Sequence, residues 1–578
     1  MNKSVISKYL KDKNVVYPMV LVLVALFLRF WGITYGLPSV YNSTEYFIAK
    51  QALSFGARHT LEPLYFVYPS FYSYIIAVLF GVYFLIGHLT GIFPTTADFA
   101  IQFFINPSTF YLIGRISSAI FFIIALLIFY RISRFYLNAE SGFFFSLLFL
   151  FSINMQAFTF WMVPDSLLLL GMAIVLYYLV KLEKKKLSYP ELVFASMVCG
   201  LTISTKYNAG FLGFGWIVAV WFFSAQNFHL KIKNIIFSSI GIIVGFILGS
   251  PYWVIKFSKF NEGLGMVVSQ SKYAFNFETG APYLWEIQKL ISSEWLLGLL
   301  FIFLLFTLFL YYKKEIFPLT AMIIPTFLLV GSWQKKGLDY LLIIFPALLV
   351  VFLILINKYR QKFSIDNWLI YLLAPILILN GSRLIFHDFQ KTREDTREMA
   401  GKWIVQNYQP GTRICYDHYH YDIDLIDINR FLDYGEGSRY LNEIIRNKLE
   451  KFKYGSNDYA FISAQKILNE IDLPDSMFTI MQADTFLRQT FFHPHKTLDE
   501  LKEDGVKLLI LNSDTYLKFM NNSPPDPSNP IRADFLFRKH FYQTVLDDLS
   551  PIKSFKPDYL HLGPDIKIYN LGEDDQWN

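Results

Sequence analysis

Apolar stretches of about twenty residues follow one another along the first two thirds of the chain, separated by short polar segments. An α-helix needs about 20 apolar residues to cross the hydrocarbon core of a bilayer. The pattern predicts about eleven spans, near residues 15–33, 111–131, 142–160, 165–182, 190–206, 208–224, 235–254, 293–312, 317–332, 339–356 and 366–386. Residues 15–386 are therefore predicted to form a polytopic helical membrane body, preceded by a polar tail over residues 1–14.

One further apolar run, which follows Tyr68, is ambiguous, because it can either cross the bilayer or lie on its surface. Lys and Arg concentrate on the cytoplasmic side of membrane proteins. If this run does not span, five basic clusters, RISR, KLEKKK, HLKIK, YYKK and NKYRQK, all become cytoplasmic. This topology predicts a cytoplasmic N-terminus, a first outer loop over residues 34–110, and an apolar helix in that loop lying on or dipping into the membrane. The alternative is that the run spans and that another crossing is missed, giving 12 or 13 spans in total.

The pattern changes after residue 386, where charged residues become frequent and no apolar run is long enough to span. A helix pattern at TREDTREMAGKWIV is followed by short strand-like stretches such as YAFISA, GVKLLILNSD and DIKIYNL. Residues 387–578 are therefore predicted to be a separate extracytoplasmic α/β domain. Within it, His418 and His420 with nearby acids could hold a metal, but their alternation is more typical of the polar face of a strand.

The composition agrees with a membrane protein, since 54% of the residues are hydrophobic and only 17% are charged. The net charge of +6 comes largely from clusters beside the apolar runs, so it indicates orientation and not nucleic-acid binding. The first apolar stretch is long and lacks a small-residue cleavage site, which favours an uncleaved span over a signal peptide. Cys199 lies in an apolar run and Cys415 in the soluble domain, so no disulfide is expected.

Two acids are candidates for chemistry at the outer membrane boundary. Glu45 follows the first span by about a dozen residues in an aromatic loop, and Asp165 opens a helix after Pro164. Each has an ordinary explanation, since Glu45 can be a solvated loop acid and Asp165 can be a helix cap. A carboxylate at this height can also serve as a general base or orient a sugar.

The candidate cations lie at the same predicted level. Arg115 and Lys206, with Tyr207 beside it, can either snorkel to the lipid headgroups or bind a lipid-borne phosphate. Lys335 and Lys336 occupy a short outer loop against the charge rule, which indicates an anionic partner. No nucleotide-binding or zinc motif is present, so the sequence implies no cofactor, although a divalent metal is left open.

The order of these features resembles the GT-C glycosyltransferases of the protein O-mannosyltransferase and aminoarabinose transferase type. The resemblance runs through the segments RFWGITYGLPSVYNSTE, YPSFYSYIIAVLFG, GRISSAIFFIIALLIFYRISRFY, PDSLLLLGMAIVLYYLV, STKYNAG, SPYWVI and DYLLIIFPALLVV, and through DTREMAGKWIVQNYQPGTRI and PDIKIYNL in the soluble domain. It implies an integral enzyme of the cell (inner) membrane that takes a sugar from a polyprenyl phosphate at the outer face. The acceptor, whether protein, glycan or lipid, is not implied.

The chain departs from this family at two positions. The family usually carries an Asp-Glu pair in the first outer loop, with the aspartate as the base, whereas this chain has Thr44 and Glu45. The family often has Arg-Tyr near the end of the body, whereas this chain has Asp339 and Tyr340. Glu45 or Asp165 is then expected to be the catalytic carboxylate, with Arg115, Lys206, Tyr207, Lys335, Lys336 and Tyr340 binding the donor phosphate.

Two other functions fit the sequence less well. An inactive GT-C relative that binds polyprenyl lipid or a partner enzyme is consistent with the missing aspartate. A transporter would show repeats and ionisable residues near the bilayer midplane. The sequence shows no clear repeat, and its polar residues lie at the outer ends of the spans.

Overall fold

The protein is described by a computed structural model that covers residues 12–273, 280–310, 313–363, 368–408, 412–417, 460–462, 497–527, 529 and 532–572. Helices dominate its first 390 residues. They are α1 (Lys13–Phe30), α2 (Ser43–Ala57), α3 (Phe71–Leu89), α4 (Thr96–Ile105), α5 (Ser108–Ser133), α6 (Ala139–Leu150), α7 (Ile153–Phe160), α8 (Pro164–Lys184), α9 (Tyr189–Ile203), α10 (Gly210–Phe223), α11 (Phe228–Gly249), α12 (Tyr252–Ile255), α13 (Phe257–Tyr273), α14 (Leu284–Glu294), α15 (Leu296–Leu310), α16 (Phe317–Ser332), α17 (Ile344–Phe363) and α18 (Trp368–Gln390).

Each predicted span coincides with one of these helices or with a bent pair. Among the described residues, α1, α3, α5, α8, α11 and α18 are long and apolar enough to cross a membrane, and α6 with α7 forms a pair bent by 56°. Shorter apolar helices account for the remaining predicted spans, at α9, α10, α15, α16 and α17. The predicted polytopic helical membrane fold is therefore confirmed.

Contacts at the two ends of α1 bear on whether α3 crosses the membrane. Beyond the C-terminal end of α1, the carbonyls of Ile33 and Tyr35 each accept a hydrogen bond from Arg115 Nη1, near the start of α5, at 2.8 Å. At the opposite end, Lys13 pairs with Glu140 at 2.8 Å, just after α5 has ended. Helices α1 and α5 therefore run in opposite directions. The chain between them returns to the side on which it started, which favours the eleven-span count, although α3 alone is long enough to cross.

The bend between α6 and α7 is stabilised by a buried acid. Glu294, at the end of α14, accepts hydrogen bonds from the Ser152 hydroxyl at 2.6 Å and from the backbone N–H groups of Ile153 and Asn154 at 3.1 and 2.7 Å. Free N–H groups and a partial positive charge mark the start of every α-helix. The carboxylate satisfies these groups where the span is broken, so Glu294 is a structural residue of the body.

The C-terminal region contains a small α/β unit, as predicted. Its elements are α19 (Thr396–Asn407), β1 (Arg413–Asp417), β2 (Ala460–Ile462), α20 (Leu498–Glu503), β3 (Leu508–Asn512), α21 (Ser513–Met520), α22 (Arg532–Asp548), β4 (Lys553–Phe555) and β5 (Ile566–Asn570). The sheet order is β2-β1-β3-β5-β4, with β1 parallel to β2 and β3, and with β5 antiparallel to β3 and β4. His418 and His420, the metal candidates, lie outside the described residues.

This α/β domain is joined to the chain that follows α1. Asp395 caps α19, accepts a hydrogen bond from the Tyr35 hydroxyl, and accepts another from Arg397 Nε at 2.7 Å. The Arg397 guanidinium lies 3.4 Å from the centroid of the Tyr41 ring. Residues 35 and 41 flank the cis peptide bond before Pro38 and precede Glu45 in the chain. The domain therefore holds the segment that leads into the candidate site.

Replacing Asp395 with alanine is expected to loosen this junction. The change removes a helix cap worth about 1 kcal/mol and leaves the buried Arg397 without its carboxylate, which adds about 1–3 kcal/mol. Limited proteolysis of purified protein should then cleave the domain faster than in wild type. Asp558→Ala is the control, because Asp558 is exposed and pairs only with its own segment through His561. Equal cleavage of the two variants would contradict the role given to Asp395.

Candidate active site

Glu45 and Arg115 form a fully buried ion pair. Arg115 Nε donates to Glu45 Oε1 at 2.9 Å and Nη2 donates to Oε2 at 2.8 Å, and both side chains have 0% exposure. Glu45 Oε1 also accepts the backbone N–H of Met162 at 2.8 Å. The Arg115 guanidinium lies 4.7 Å from the Trp161 ring centroid. Both carboxylate oxygens are thus held by a two-point pair, the strong geometry for Arg and Glu.

This geometry favours a positioning role for Glu45. A general base must come within about 2.6–3.2 Å of the proton that it removes. The Glu45 carboxylate is closed off by Arg115, and the pair ties the start of α2 to α5 and to the segment before α8. The assignments of Glu45 as a catalytic residue and of Arg115 as a phosphate ligand stay predictions, and this arrangement does not favour them.

A second cluster lies just beyond that segment, around Lys206. Lys206 Nζ donates to Asp165 Oδ1 and to Asp339 Oδ2, each at 2.9 Å. Asp165 is in the first turn of α8, where Pro164 occupies a favourable first position. Lys206 lies between α9 and the 3₁₀ turn Tyr207–Ala209, and Asp339 lies in a second 3₁₀ turn, Leu338–Leu341. The sequence analysis predicts that Asp165 and Lys206 lie at the same membrane boundary, and their contact in this cluster is consistent with that prediction.

Asp339 was not among the predicted site residues. The only sequence signal for it was that an acid stands where the resembling family often has arginine. Its side chain is the most open of the cluster, at 37% exposure, compared with 10% for Asp165 and 6% for Lys206. With two acids and one lysine, the cluster carries a formal charge of −1.

Tyr68, a residue of the first loop, faces this cluster. Tyr68 interacts electrostatically with Lys206, Asp339 and Asp165, and its hydroxyl forms a hydrogen bond with the Thr44 side chain. Burial raises the pKa of Tyr68, and the charge of Lys206 opposes that shift. Tyr68 therefore stays neutral and can donate a hydrogen bond. Thr44, which cannot act as a base, is joined to the site through Tyr68.

Lys335 and Tyr340 complete one side of the site. Two lysines lie close to the Tyr340 ring, with Lys206 Nζ 5.0 Å and Lys335 Nζ 5.4 Å from its centroid. Lys335 Nζ donates to Gln270 Oε1 at 3.1 Å, which brings in α13. Burial lowers the pKa of Lys335, with Asp339 opposing the shift and Lys206 adding to it. A phosphate close to Lys335 would favour its charged form.

Lys336 and Tyr207, which are also predicted phosphate ligands, form hydrogen bonds with residues outside the Lys206 cluster. Lys336 Nζ donates to Glu286 Oε1 at 2.8 Å and to the Gly331 carbonyl at 3.2 Å, with its side chain fully buried. The Tyr207 hydroxyl donates to the Phe66 carbonyl at 2.9 Å. Both residues fasten neighbouring segments around the cluster. Their role in binding phosphate stays a prediction that these contacts do not favour.

Within the part of the chain that the structure describes, no group of three or more His, Cys, Asp and Glu side chains could hold a metal ion. The carboxylates at the site are instead paired with Lys206. A cation in this cluster is thus supplied by the chain itself.

Residues 109–255 match the family model described as dolichyl-phosphate-mannose-protein mannosyltransferase. This range contains Arg115, Asp165 and Lys206 and ends before Lys335. The match confirms the resemblance predicted from the sequence. No curated protein matches the chain.

Several solved structures are similar to the chain. ArnT from Cupriavidus metallidurans bound to undecaprenyl phosphate is 11% identical, with 96% of this chain and 98% of that chain covered and a TM-score of 0.48. The archaeal oligosaccharyltransferase AglB from Archaeoglobus fulgidus is 11% identical, over 88% and 70% of the two chains, with a TM-score of 0.43. The S. cerevisiae Pmt1-Pmt2 complex is 16% identical, over 46% and 36%, with a TM-score of 0.34. At this level of similarity, no residue of this chain takes a role from them.

Proposed function

We propose that this protein is a membrane glycosyltransferase that moves a sugar from a polyprenyl-phosphate donor to an acceptor hydroxyl. The observation that carries the proposal is the Asp165–Lys206–Asp339 cluster, with Lys335 Nζ also near the Tyr340 ring, 5.4 Å from its centroid. Carboxylates and cations thus meet at the end of the helical body. The family whose model matches residues 109–255 is named for a lipid-phosphate sugar donor, which supports this donor class.

The reaction needs both kinds of charge. The acceptor oxygen attacks the anomeric carbon of the sugar, and the bond from that carbon to the phosphate oxygen breaks. The acceptor proton passes to a carboxylate of the cluster, and the polyprenyl phosphate leaves with the bonding electrons. A positioned base contributes about 10²- to 10⁴-fold to such a reaction. Cations fixed beside the leaving phosphate act where negative charge develops.

Each part of the site supports one of these roles. Lys335 and Lys206 are placed to hold the phosphate, and the neutral Tyr68 hydroxyl can donate to it. The Glu45–Arg115 pair holds the first loop against the body, so that Tyr68, with Thr44 as its hydrogen-bond partner, faces the cluster. This assigns the predicted polar residues to two tasks, chemistry around Lys206 and support around Arg115.

The basic clusters support an active site on the outer face. Arg131 and Arg134 lie at the end of α5, and Lys181 and Lys184 lie at the end of α8. Arg115 and Asp165 lie at the opposite ends of these same helices. Because basic clusters concentrate on the cytoplasmic side, this distribution supports a position of the Lys206 cluster at the extracytoplasmic boundary of the cell membrane.

Purified wild-type protein is expected to release sugar from a radiolabelled polyprenyl-phosphate sugar in a panel of hexosyl and pentosyl donors. Asp165→Asn should lower the rate about 10²-fold, because Lys206 loses a fixed partner and moves within the site. Glu191→Gln is a matched control, since Glu191 pairs with Lys181 at the opposite ends of the same two helices.

The same assay separates the proposal from its main rival. Tight binding of the labelled lipids without any loss of sugar would indicate an inactive relative that only binds polyprenyl lipid. Loss of activity in Glu191→Gln equal to that in Asp165→Asn would show that the measured effect is not specific to the site.

A further inference from the structure

We infer that Asp339 is the general base that takes the proton from the acceptor hydroxyl; this rests on the proposed function. Three carboxylates lie in or beside the site, and their side-chain exposures differ sharply. Glu45 has 0% exposure, Asp165 has 10%, and Asp339 has 37%. An acceptor arriving from solvent therefore meets Asp339 first.

The other two acids are committed to partners. Both oxygens of Glu45 are held by Arg115, and one of them also accepts the Met162 N–H. Asp165 is buried in the first turn of α8, where it holds Lys206 at 2.9 Å. Neither carboxylate has an open approach for a hydroxyl group.

The contacts of Asp339 leave one of its oxygens facing a small residue. Oδ2 accepts from Lys206, while Oδ1 lies where a Cβ on Gly337 would approach to 2.7 Å. Any side chain at residue 337 would therefore push the carboxylate away from its present position. Because Gly337 has no side chain, the Asp339 carboxylate can lie against the backbone of residue 337.

The charges of the cluster remain paired when Asp339 accepts a proton. Lys206 is shared between the two aspartates, so it keeps the buried Asp165 as a counter-ion when Asp339 becomes neutral. The formal charge of the three groups then changes from −1 to 0. No buried charge is left unpaired by the proton transfer, which avoids the large cost of such a state.

The test measures transfer from the active polyprenyl-phosphate sugar by the full-length protein and its Asp339 variants. Asp339→Asn is expected to lower kcat by about 10²- to 10⁴-fold. Asp339→Glu should keep part of the activity. Adding formate should restore part of the activity of Asp339→Ala, because a small carboxylate can enter the space that the side chain leaves.

Two further variants separate catalysis from structure. Gly337→Ala should lower kcat, since its Cβ displaces the Asp339 carboxylate without removing it; the same Cβ would come within 3.1 Å of the Tyr340 ring, so the donor KM is measured as well. Glu62→Gln should behave as wild type, because Glu62 is an acid paired with Lys259 away from the cluster.

Distinct outcomes would overturn the inference and the proposed function. Asp339→Asn with a kcat within tenfold of wild type, or a folded Asp339→Ala that formate does not rescue, would reject Asp339 as the base while leaving the transferase intact. Wild-type protein that releases sugar from no donor would reject the proposed function, and the inference with it.

Discussion

Replacing Lys206 with methionine is expected to abolish sugar transfer and to destabilise the folded protein. Lys206 is 6% exposed and contacts two carboxylates at 2.9 Å each, so its loss leaves Asp165 and Asp339 facing each other without a cation. Removing one partner of a buried ion pair costs about 3–5 kcal/mol. Loss of a preorganised cation at the leaving phosphate is expected to lower kcat by about 10²- to 10³-fold. Label release and thermal unfolding in detergent measure the two effects.

Two comparisons make this result specific. Lys206→Arg keeps the positive charge and should retain stability, although its planar guanidinium fits two carboxylates differently from an ammonium group. Lys259→Met removes a lysine that pairs with Glu62 and is 58% exposed, so it should change neither property appreciably. Full transfer activity in Lys206→Met would remove the cluster from the mechanism.

The membrane fold was largely predictable because the bilayer imposes a length on each apolar segment. Eleven predicted spans coincide with helices or with the bent pair α6–α7. The bend itself was not predicted, since it depends on Glu294, which lies 140 residues beyond Asn154 in the chain. Helix α3 stayed ambiguous because its composition meets the requirement for a span. Only contacts such as that between Arg115 and Ile33 show that the chain returns to the same side.

The sequence indicates which polar residues lie at the span ends, but it does not indicate which of them form ion pairs with each other. Asp165 and Lys206 were singled out because they lie at span ends on one predicted side, and they meet at 2.9 Å. Glu45 and Arg115 were interpreted separately, since nothing local in the sequence indicates an ion pair between residues 70 positions apart. Asp339 was missed as a site residue because it follows Lys335 and Lys336, whose charges dominated the interpretation of that loop.

The structure also gives a physical reading of the pair Thr44 and Glu45. Adjacent residues at the start of α2 point to different surroundings, with Thr44 half-buried beside Tyr68 and Glu45 sealed against Arg115. The position that contacts Tyr68 therefore carries a hydroxyl, and the position that faces the core carries the acid. Thr44 and Glu45, which are adjacent in the sequence, therefore have different surroundings in the structure.

Breaking the Glu45–Arg115 pair is expected to destabilise the protein whichever partner is changed. Glu45→Gln leaves a buried guanidinium without a counter-charge, and Arg115→Met leaves a buried carboxylate, so each should lower the free energy of unfolding by about 3–5 kcal/mol. Transfer activity should fall with the folded fraction, because the pair holds the loop that carries Thr44 and Tyr68. Equilibrium unfolding in mixed detergents, together with activity corrected for folded protein, measures both effects.

The double variant Glu45→Gln/Arg115→Met distinguishes a structural pair from a catalytic acid. Replacing both charges removes the unpaired state, so the double variant should be more stable than either single variant, with a coupling energy of about 0.5–3 kcal/mol. If Glu45 only positions the loop, this recovery of stability should bring back part of the transfer activity. A double variant that folds well and remains fully inactive would instead make Glu45 or Arg115 a residue that acts on the substrate directly, since no gain in folding can replace a missing base or phosphate ligand.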